Sequence, residues 1–430
     1  MLRTLALLAL AAAPIAAHAQ ADAASAVDSG DTAFVLGAAM LGFAMILPGV
    51  VLYQGGALRA RAFAALATQT GAIAAVVSLL WIVVGYTLAF GTVTTGWLGS
   101  GNAWMLIDLA NVRADSAVPE VAFVWLQLGF AVLAAVLLTG AWAERGNIAW
   151  VVPFAGLWSI LVYAPVTHWV AGGGWLGLRL GTVDQGGALN VHACIGISAL
   201  VITLLMGRRA QFVPDQKPQG HAPALALAGS GMVLVALLAL TAGATLAASD
   251  DAGTTLVNLQ VAAAAGALVW LLIDAMTLGK VHPLSLARGA LAGLIAASAA
   301  ANACAPGAAM VAGLAGALVA RIAARLIRAG AIDDAVDLVS VHGLAGLAGA
   351  MLAAPLIAGT LGGTGYAAGM GPVRQVVAQA VAAGVVVAWS AIGTAIAALM
   401  VAMVVPMRVS EADEIRGLDE ASHAIANDQS

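Results

Sequence analysis

The sequence predicts an all-α protein that crosses a membrane many times. Three observations carry that expectation. Only 9% of the 430 residues are charged while 62% are hydrophobic. The apolar residues fall into long runs separated by short polar breaks. The runs are also studded with small residues, 50 of them glycine. A soluble domain carries about 25% charged residues, and a bilayer span needs about 20 consecutive apolar ones. Small residues let membrane helices approach closely where no hydrophobic effect draws them together. The net charge of −4 decides little, because in such a chain the placement of charge outweighs its sum. No nucleic-acid partner is expected.

Taken in order, residues 1–19 read as a cleavable signal peptide. Arg3 precedes the apolar run Leu5 to Ala17, and Ala17-His18-Ala19 is an A-x-A cleavage pattern. The mature chain would then begin near Gln20, with its N-terminus outside. Residues 20–405 form the membrane domain, with eleven spans at 32–53, 64–91, 120–142, 147–169, 187–207, 222–247, 255–278, 284–303, 306–328, 336–359 and 373–405. The longest external loop, 92–119, carries Trp97, Trp104 and Asp108, and its tryptophans suit headgroup level. Cys194 and Cys304 lie inside apolar stretches and read as small buried side chains. Residues 406–430 form a polar cytoplasmic tail.

Charge sets the orientation. One side gathers Arg59, Arg61, Arg145, Arg208, Arg209, Lys217, Lys280, Arg288, Arg321, Arg325, Arg328, Arg408 and Arg416. The other has Arg113, Arg179 and Arg374. The positive-inside rule therefore puts the N-terminus outside and the C-terminus in the cytoplasm. An odd number of spans agrees with that.

The fifth and tenth spans share a grammar. Gly186-Gly187-Ala188-Leu189-Asn190-Val191-His192-Ala193-Cys194-Ile195-Gly196 is answered by Val341-His342-Gly343-Leu344-Ala345-Gly346. In each, Val-His is followed by Gly four residues after the His. An ionisable group at membrane depth is costly and marks a pathway residue with a partner. Spans one to five and six to ten would be inverted repeats, each ending in its histidine, with the eleventh an addition. Burial favours neutral imidazoles. A neutral pair can bond to itself and still offer a donor and an acceptor to a small guest. Such a lumen excludes Na⁺ and K⁺, which need their hydration shells replaced, but admits a molecule that can shed its proton. The alternative is two structural histidines bonded to backbone carbonyls.

These residues lead to a family. The sequence resembles the ammonium transporters (Amt/Mep/Rh) over nearly all of the mature chain. The matching stretches are Leu52-Tyr53-Gln54-Gly55-Gly56-Ala57-Leu58-Arg59, Gly85-Tyr86-Thr87-Leu88-Ala89-Phe90-Gly91 and Ala141-Trp142-Ala143-Glu144-Arg145. Asp184 through His192, Asp337 to Gly346, Arg408-Val409-Ser410-Glu411 and Gly417-Leu418-Asp419 complete the set. The resemblance implies eleven helices per subunit, a homotrimer with one pore in each subunit, and ammonium or ammonia as the substrate. It makes His192 and His342 the paired pore histidines. It makes Asp184 the acidic residue near the outer entrance, holding the end of the fifth helix or attracting a cation. Phe130 becomes one of two stacked phenylalanines closing the outer pore. The tail would pack on the cytoplasmic face, couple subunits and meet the trimeric PII signalling protein.

The departures cluster at the outer mouth. Ala171 stands where the family has a Trp, Ala244 where it has a Ser, and Leu240 where it has the second Phe. Trp169 or Trp175 could supply a cation-attracting face instead, and Thr241 a hydroxyl. Losing a cation–π contact and a hydrogen bond removes about 1–3 kcal/mol of recruitment. After His423 the chain has Ala424 and Ile425 where the family has Gly and Glu. These residues and the resemblance point to an ammonium channel or transporter of the inner membrane. The rivals are a sensor of the same fold that conducts poorly, and transport of another small substrate through the altered outer site. No cofactor or metal is expected, and no nucleophile–base or metal-ligand set supports an enzyme.

Overall fold

The computed structural model describes residues 27–93, 96–101, 104–213, 220–423 and 425. The expected signal peptide, Lys217 and Ala424 lie outside the described residues. Among the described residues, ten helices are long and apolar enough to cross a membrane. They are α1 (Ser29–Ala57), α2 (Ala60–Phe90), α3 (Glu120–Trp142), α4 (Ile148–Arg179), α5 (Ala188–Met206), α6 (Pro223–Gly243), α7 (Asp250–Leu278), α9 (Pro306–Ala329), α10 (Val339–Leu356) and α11 (Pro372–Ala402). The predicted eighth span is the shorter α8, Pro283–Ser298, with 16 residues. At a rise of about 1.5 Å per residue it reaches only about 24 Å. Nearly all of it is buried among other helices, so lipid thickness does not dictate its length. Two short helices close the tail, α12 (Glu411–Arg416) and α13 (Leu418–His423). The connection between α2 and α3 adds a two-stranded antiparallel ribbon, Thr92–Val93 with Gly99–Ser100.

The outer surface is apolar. Leu79, Leu268, Met276, Val373, Met403 and Val404 are all more than half exposed, as helices facing hydrocarbon require. Inside, α3 and α5 carry the best-buried faces, and close packing depends on glycine. A Cβ on Gly229 would sit 2.2 Å from the backbone nitrogen of Tyr53, so α6 can lie against α1 only without a side chain there. The cysteines are free and buried.

Three of the arginines assigned to one side, Arg59, Arg145 and Arg209, meet in one cluster. Glu144 accepts from Arg59 Nε at 3.0 Å and from Arg209 at 2.6 Å. Arg209 reaches on to Asp333 at 2.8 Å, and Arg145 joins Asp333 at 3.4 Å. Burial pushes both carboxyls up, but the arginines outweigh it and hold Glu144 and Asp333 below the usual carboxylate range. The tail locks onto this cluster. Glu414 accepts from Arg408 and from the Ala210 N–H at 3.0 Å. Asp419 accepts from the N–H groups of Ala64 and Ala65 at 3.1 and 2.8 Å, satisfying orphan donors at the start of α2's α-helical stretch.

Candidate functional site

Both histidines sit on widened helical turns. The His192 N–H bonds to the Gly187 carbonyl, five residues back, at 2.9 Å, within the π-helical segment Ala188–Ala193. His342 lies in a matching segment, Val339–Leu344. Such single-turn bulges recur at functional positions because they turn a side chain out of the regular spiral. Each turn is held by an aspartate. Asp184 Oδ2 accepts from the N–H groups of Leu189 and Asn190 at 3.0 and 3.1 Å. Asp334 accepts from Leu338 and Val339 at 2.8 and 2.9 Å. Asp184 precedes His192 by eight residues, and Asp334 precedes His342 by eight. That shared interval is legible in the sequence, although the family resemblance singles out the nearby Asp337. Asp337 instead pairs with Arg288 and Arg328 at 2.8 and 2.7 Å.

Glycines bring the two turns together. A Cβ on Gly196 would lie 2.1 Å from the Gly343 Cα, and one on Gly346 would meet the Ala188 carbonyl at 2.5 Å. At this crossing His192 Nδ1 stands 3.0 Å from His342 Nδ1, with ring centroids 5.1 Å apart. Both rings are buried, and neither Nε2 has a hydrogen-bond partner. This geometry has a definite consequence. If one Nδ1 donates and the other accepts, the first ring's Nε2 is an acceptor and the second ring's Nε2 carries the proton. The neutral pair therefore offers one acceptor and one donor to a guest. Backbone-bonded structural histidines, the alternative reading, would not leave both Nε2 atoms open.

The outer residues divide. Phe130 is buried on α3. Leu240 is fully buried, its side chain pressed against Gly42 and against Gly129, next to Phe130. Ala171 is exposed and Ala244 half-buried. Trp169 does not offer the face considered for it. It is 4% exposed, donates to the Trp97 carbonyl at 2.7 Å and sits edge-on to Trp389. Trp175 lines a cleft of about 340 Å³ with Trp97, Arg179 and Leu180, where the guanidinium opposes a second cation. Thr241 is fully buried, and its hydroxyl has no partner. Asp184 is half-buried, with Oδ1 also unpartnered. Burial pushes its carboxyl up to about 6 despite the backbone donors that favour the charged form. The described residues hold no cluster suited to a metal ion.

Comparison with known proteins agrees over most of the chain. Residues 33–427 match the Ammonium Transporter Family. An ammonium transporter of Aquifex aeolicus is 31% identical over 343 residues, 79% of each chain. A putative ammonium transporter of Methanothermobacter thermautotrophicus is 32% identical over 328 residues, 76% of this chain and 79% of its own. Among solved structures, one described as a sensor Amt protein superposes with a TM-score of 0.85 at 27% identity, covering 91% of this chain and 98% of its own. Mep2 of Candida albicans gives 0.81 at 28% identity, covering 91% and 89%. With its histidine-bearing helices, its buried polar crossing and these relatives, the chain belongs to the ammonium transporter family.

Proposed function

We propose that the protein passes ammonium nitrogen across the inner membrane through a pore lined by His192 and His342. Ammonium arrives outside, loses its proton near the outer end of α5, and travels as ammonia past the paired imidazoles. The observation that carries this reading is the pair itself, bonded at 3.0 Å with both Nε2 atoms open. A neutral donor–acceptor pair suits ammonia, which both gives and accepts hydrogen bonds, and does not repay the dehydration of K⁺. Phe130 closes the outer pore, and Asp184 holds its rim.

Eleven membrane segments, with α8 counted despite its length, give inverted five-helix halves and a cytoplasmic tail. The paired Asp-to-His modules of α5 and α10 support the repeat. The arginine cluster and the docked tail support N-out, C-in. The protein is read as a homotrimer without enzymatic activity, and the docked tail offers its cytoplasmic face to a PII signalling protein.

The test is current and isotope flux in proteoliposomes for the native protein and His192→Ala. Ammonium-evoked transport in the native protein that loses its preference for ammonium over K⁺ in the variant supports the pore. Native selectivity retained in His192→Ala rejects it. A second reading, a sensor that binds ammonium and conducts poorly, is favoured by Ala171, Leu240 and Ala244 at the outer mouth. The fold shared with the sensor Amt protein supports it too. Saturable binding without current or flux would select it.

A further inference from the structure

Between α4 and α5 the chain leaves the helix. Residues 181–187 are neither helical nor paired in a strand. Backbone of that kind is tolerated inside a membrane protein only where other groups satisfy it. Two neighbours do so. The end of α8 answers with its own backbone, its Ala299 and Ser298 carbonyls accepting from the N–H groups of Gln185 and Gly186 at 3.0 and 2.9 Å. From the other element, α11, two glutamine side chains answer. Gln379 Oε1 accepts from the Val183 N–H at 2.8 Å, while its Nε2 donates to the Val183 carbonyl at 2.9 Å. A primary amide carries the same donor and acceptor as a peptide, so Gln379 pairs with Val183 as a neighbouring strand would. Gln375 Nε2 holds the Gly181 carbonyl at 2.9 Å and reaches Gln379 Oε1 at 3.4 Å.

The second N–H of Gln379 goes elsewhere. It donates to the Ala350 carbonyl at 2.8 Å, on α10, eight residues beyond His342. Val183 adjoins Asp184 and lies nine residues ahead of His192. One fully buried amide thus grips the approach to one histidine and the helix of the other. Resting on the transport reading above, we infer that Gln379 is a positioning residue of the pore. Through this amide α11 sets the Asp184 turn, and with it His192, against the His342 helix. The chemistry admits few substitutes. Asn falls a methylene short, and Glu loses both N–H donors. Leu fills the space but leaves the Val183 N–H and carbonyl unpaired. Buried peptide groups in that state are costly, so the segment shifts to find other partners and carries Asp184 with it.

The test is the preference for ammonium over K⁺ in proteoliposomes, measured beside the unfolding temperature. Gln379→Leu lowers that preference about tenfold. Thr394→Val is the control. It removes an α11 hydroxyl that donates to Ser198 at 2.8 Å, in the regular helix beyond the histidine turn, and it keeps the native preference. Preference retained in Gln379→Leu, or lost equally in Thr394→Val, overturns the assignment, since Gln379 would then contribute stability alone. A double-mutant cycle on the unfolding temperature adds a readout without transport. An amide that acts through the Asp184 turn makes the losses from Gln379→Leu and Asp184→Ala overlap, so the double variant melts above the sum of the two. Additive losses overturn the assignment. Should Gln379→Leu fail to fold, Gln375→Leu gives the milder case, with preference lowered about threefold, and native preference there overturns it too. Overlapping losses in a protein that passes no ammonium would reject the transport reading and leave the positioning of the turn by Gln379 standing.

Discussion

At the scale of single residues, the feature that organises this protein is an aspartate eight positions ahead of a histidine. Asp184 satisfies two N–H groups that an α-helix start leaves open, and this presents His192 on a bulged turn. Its second oxygen receives nothing, so burial raises its proton affinity, with a folded value of about 6 against an ordinary 3.8. The sign follows from linkage. Between those values the folded state binds more protons than the unfolded state, so stability falls as pH rises through that window and levels off above about 6. Asp184→Asn keeps an acceptor for the backbone and removes the titration. Its unfolding temperature, followed from pH 4 to 7, is therefore flatter than the native protein's. An identical slope in both would remove Asp184 as the source.

At the scale of elements, the helix crossing is set by what is missing from it. Gly196 and Gly343 let α5 and α10 touch backbone to backbone, and in a membrane such close approach stands in for the hydrophobic effect. Gly196→Ala places a methyl 2.1 Å from a Cα that cannot swing aside, so the helices part and the imidazole pair with them. Overpacking of this kind costs about 1–3 kcal/mol, and ammonium transport falls about tenfold or more as the 3.0 Å pair opens. Gly231→Ala on α6 is the control, since nothing lies within 4 Å of its Cβ, and it leaves stability within about 1 kcal/mol. Parallel flux and melting measurements check both; a Gly196→Ala protein as active as Gly231→Ala would dissociate the crossing from the pathway.

At the scale of the whole molecule, one arginine ties several helix ends together. Arg209 bridges Glu144 after α3 to Asp333 before α10, at 2.6 and 2.8 Å. The tail closes over the cluster through Glu414 on the Ala210 N–H. Arg209→Met would remove the strongest partner of both carboxylates, leaving Glu144 only Arg59 and Asp333 only Arg145. Breaking a buried pair in this way costs about 3–5 kcal/mol. The variant melts well below the native protein at neutral pH, and the gap narrows in acid as the two carboxyls take up protons. A gap unchanged by pH would mean that packing, not charge, is what Arg209 contributes.

How much of this was legible beforehand differs by level. Composition and the spacing of apolar runs located the ten helices long enough to cross a bilayer, because the bilayer leaves the backbone few alternatives to a helix of a set length. The shortfall of α8 was not legible, since a helix wrapped by protein is freed from the thickness of lipid, and only packing reveals the wrapping. The repeated Val-His frame was enough to nominate His192 and His342, and arginine placement was enough to propose a side for each loop. The trade of Trp169 for the missing Trp could not be judged from spacing, because that indole is spent on Trp97 and Trp389, contacts across the chain; Trp175 shares its cleft with Arg179, four residues on. For the same reason only the fold shows the unpaired oxygen of Asn190, whereas the eight-residue interval from Asp334 to His342 is local and legible in the sequence. Sequence alone determined the class of this protein and its pair of histidines, because periodicity and the cost of buried charge act locally. Tertiary structure decided which polar atoms stay unsatisfied, because satisfaction depends on neighbours as far as 70 and 196 residues away along the chain.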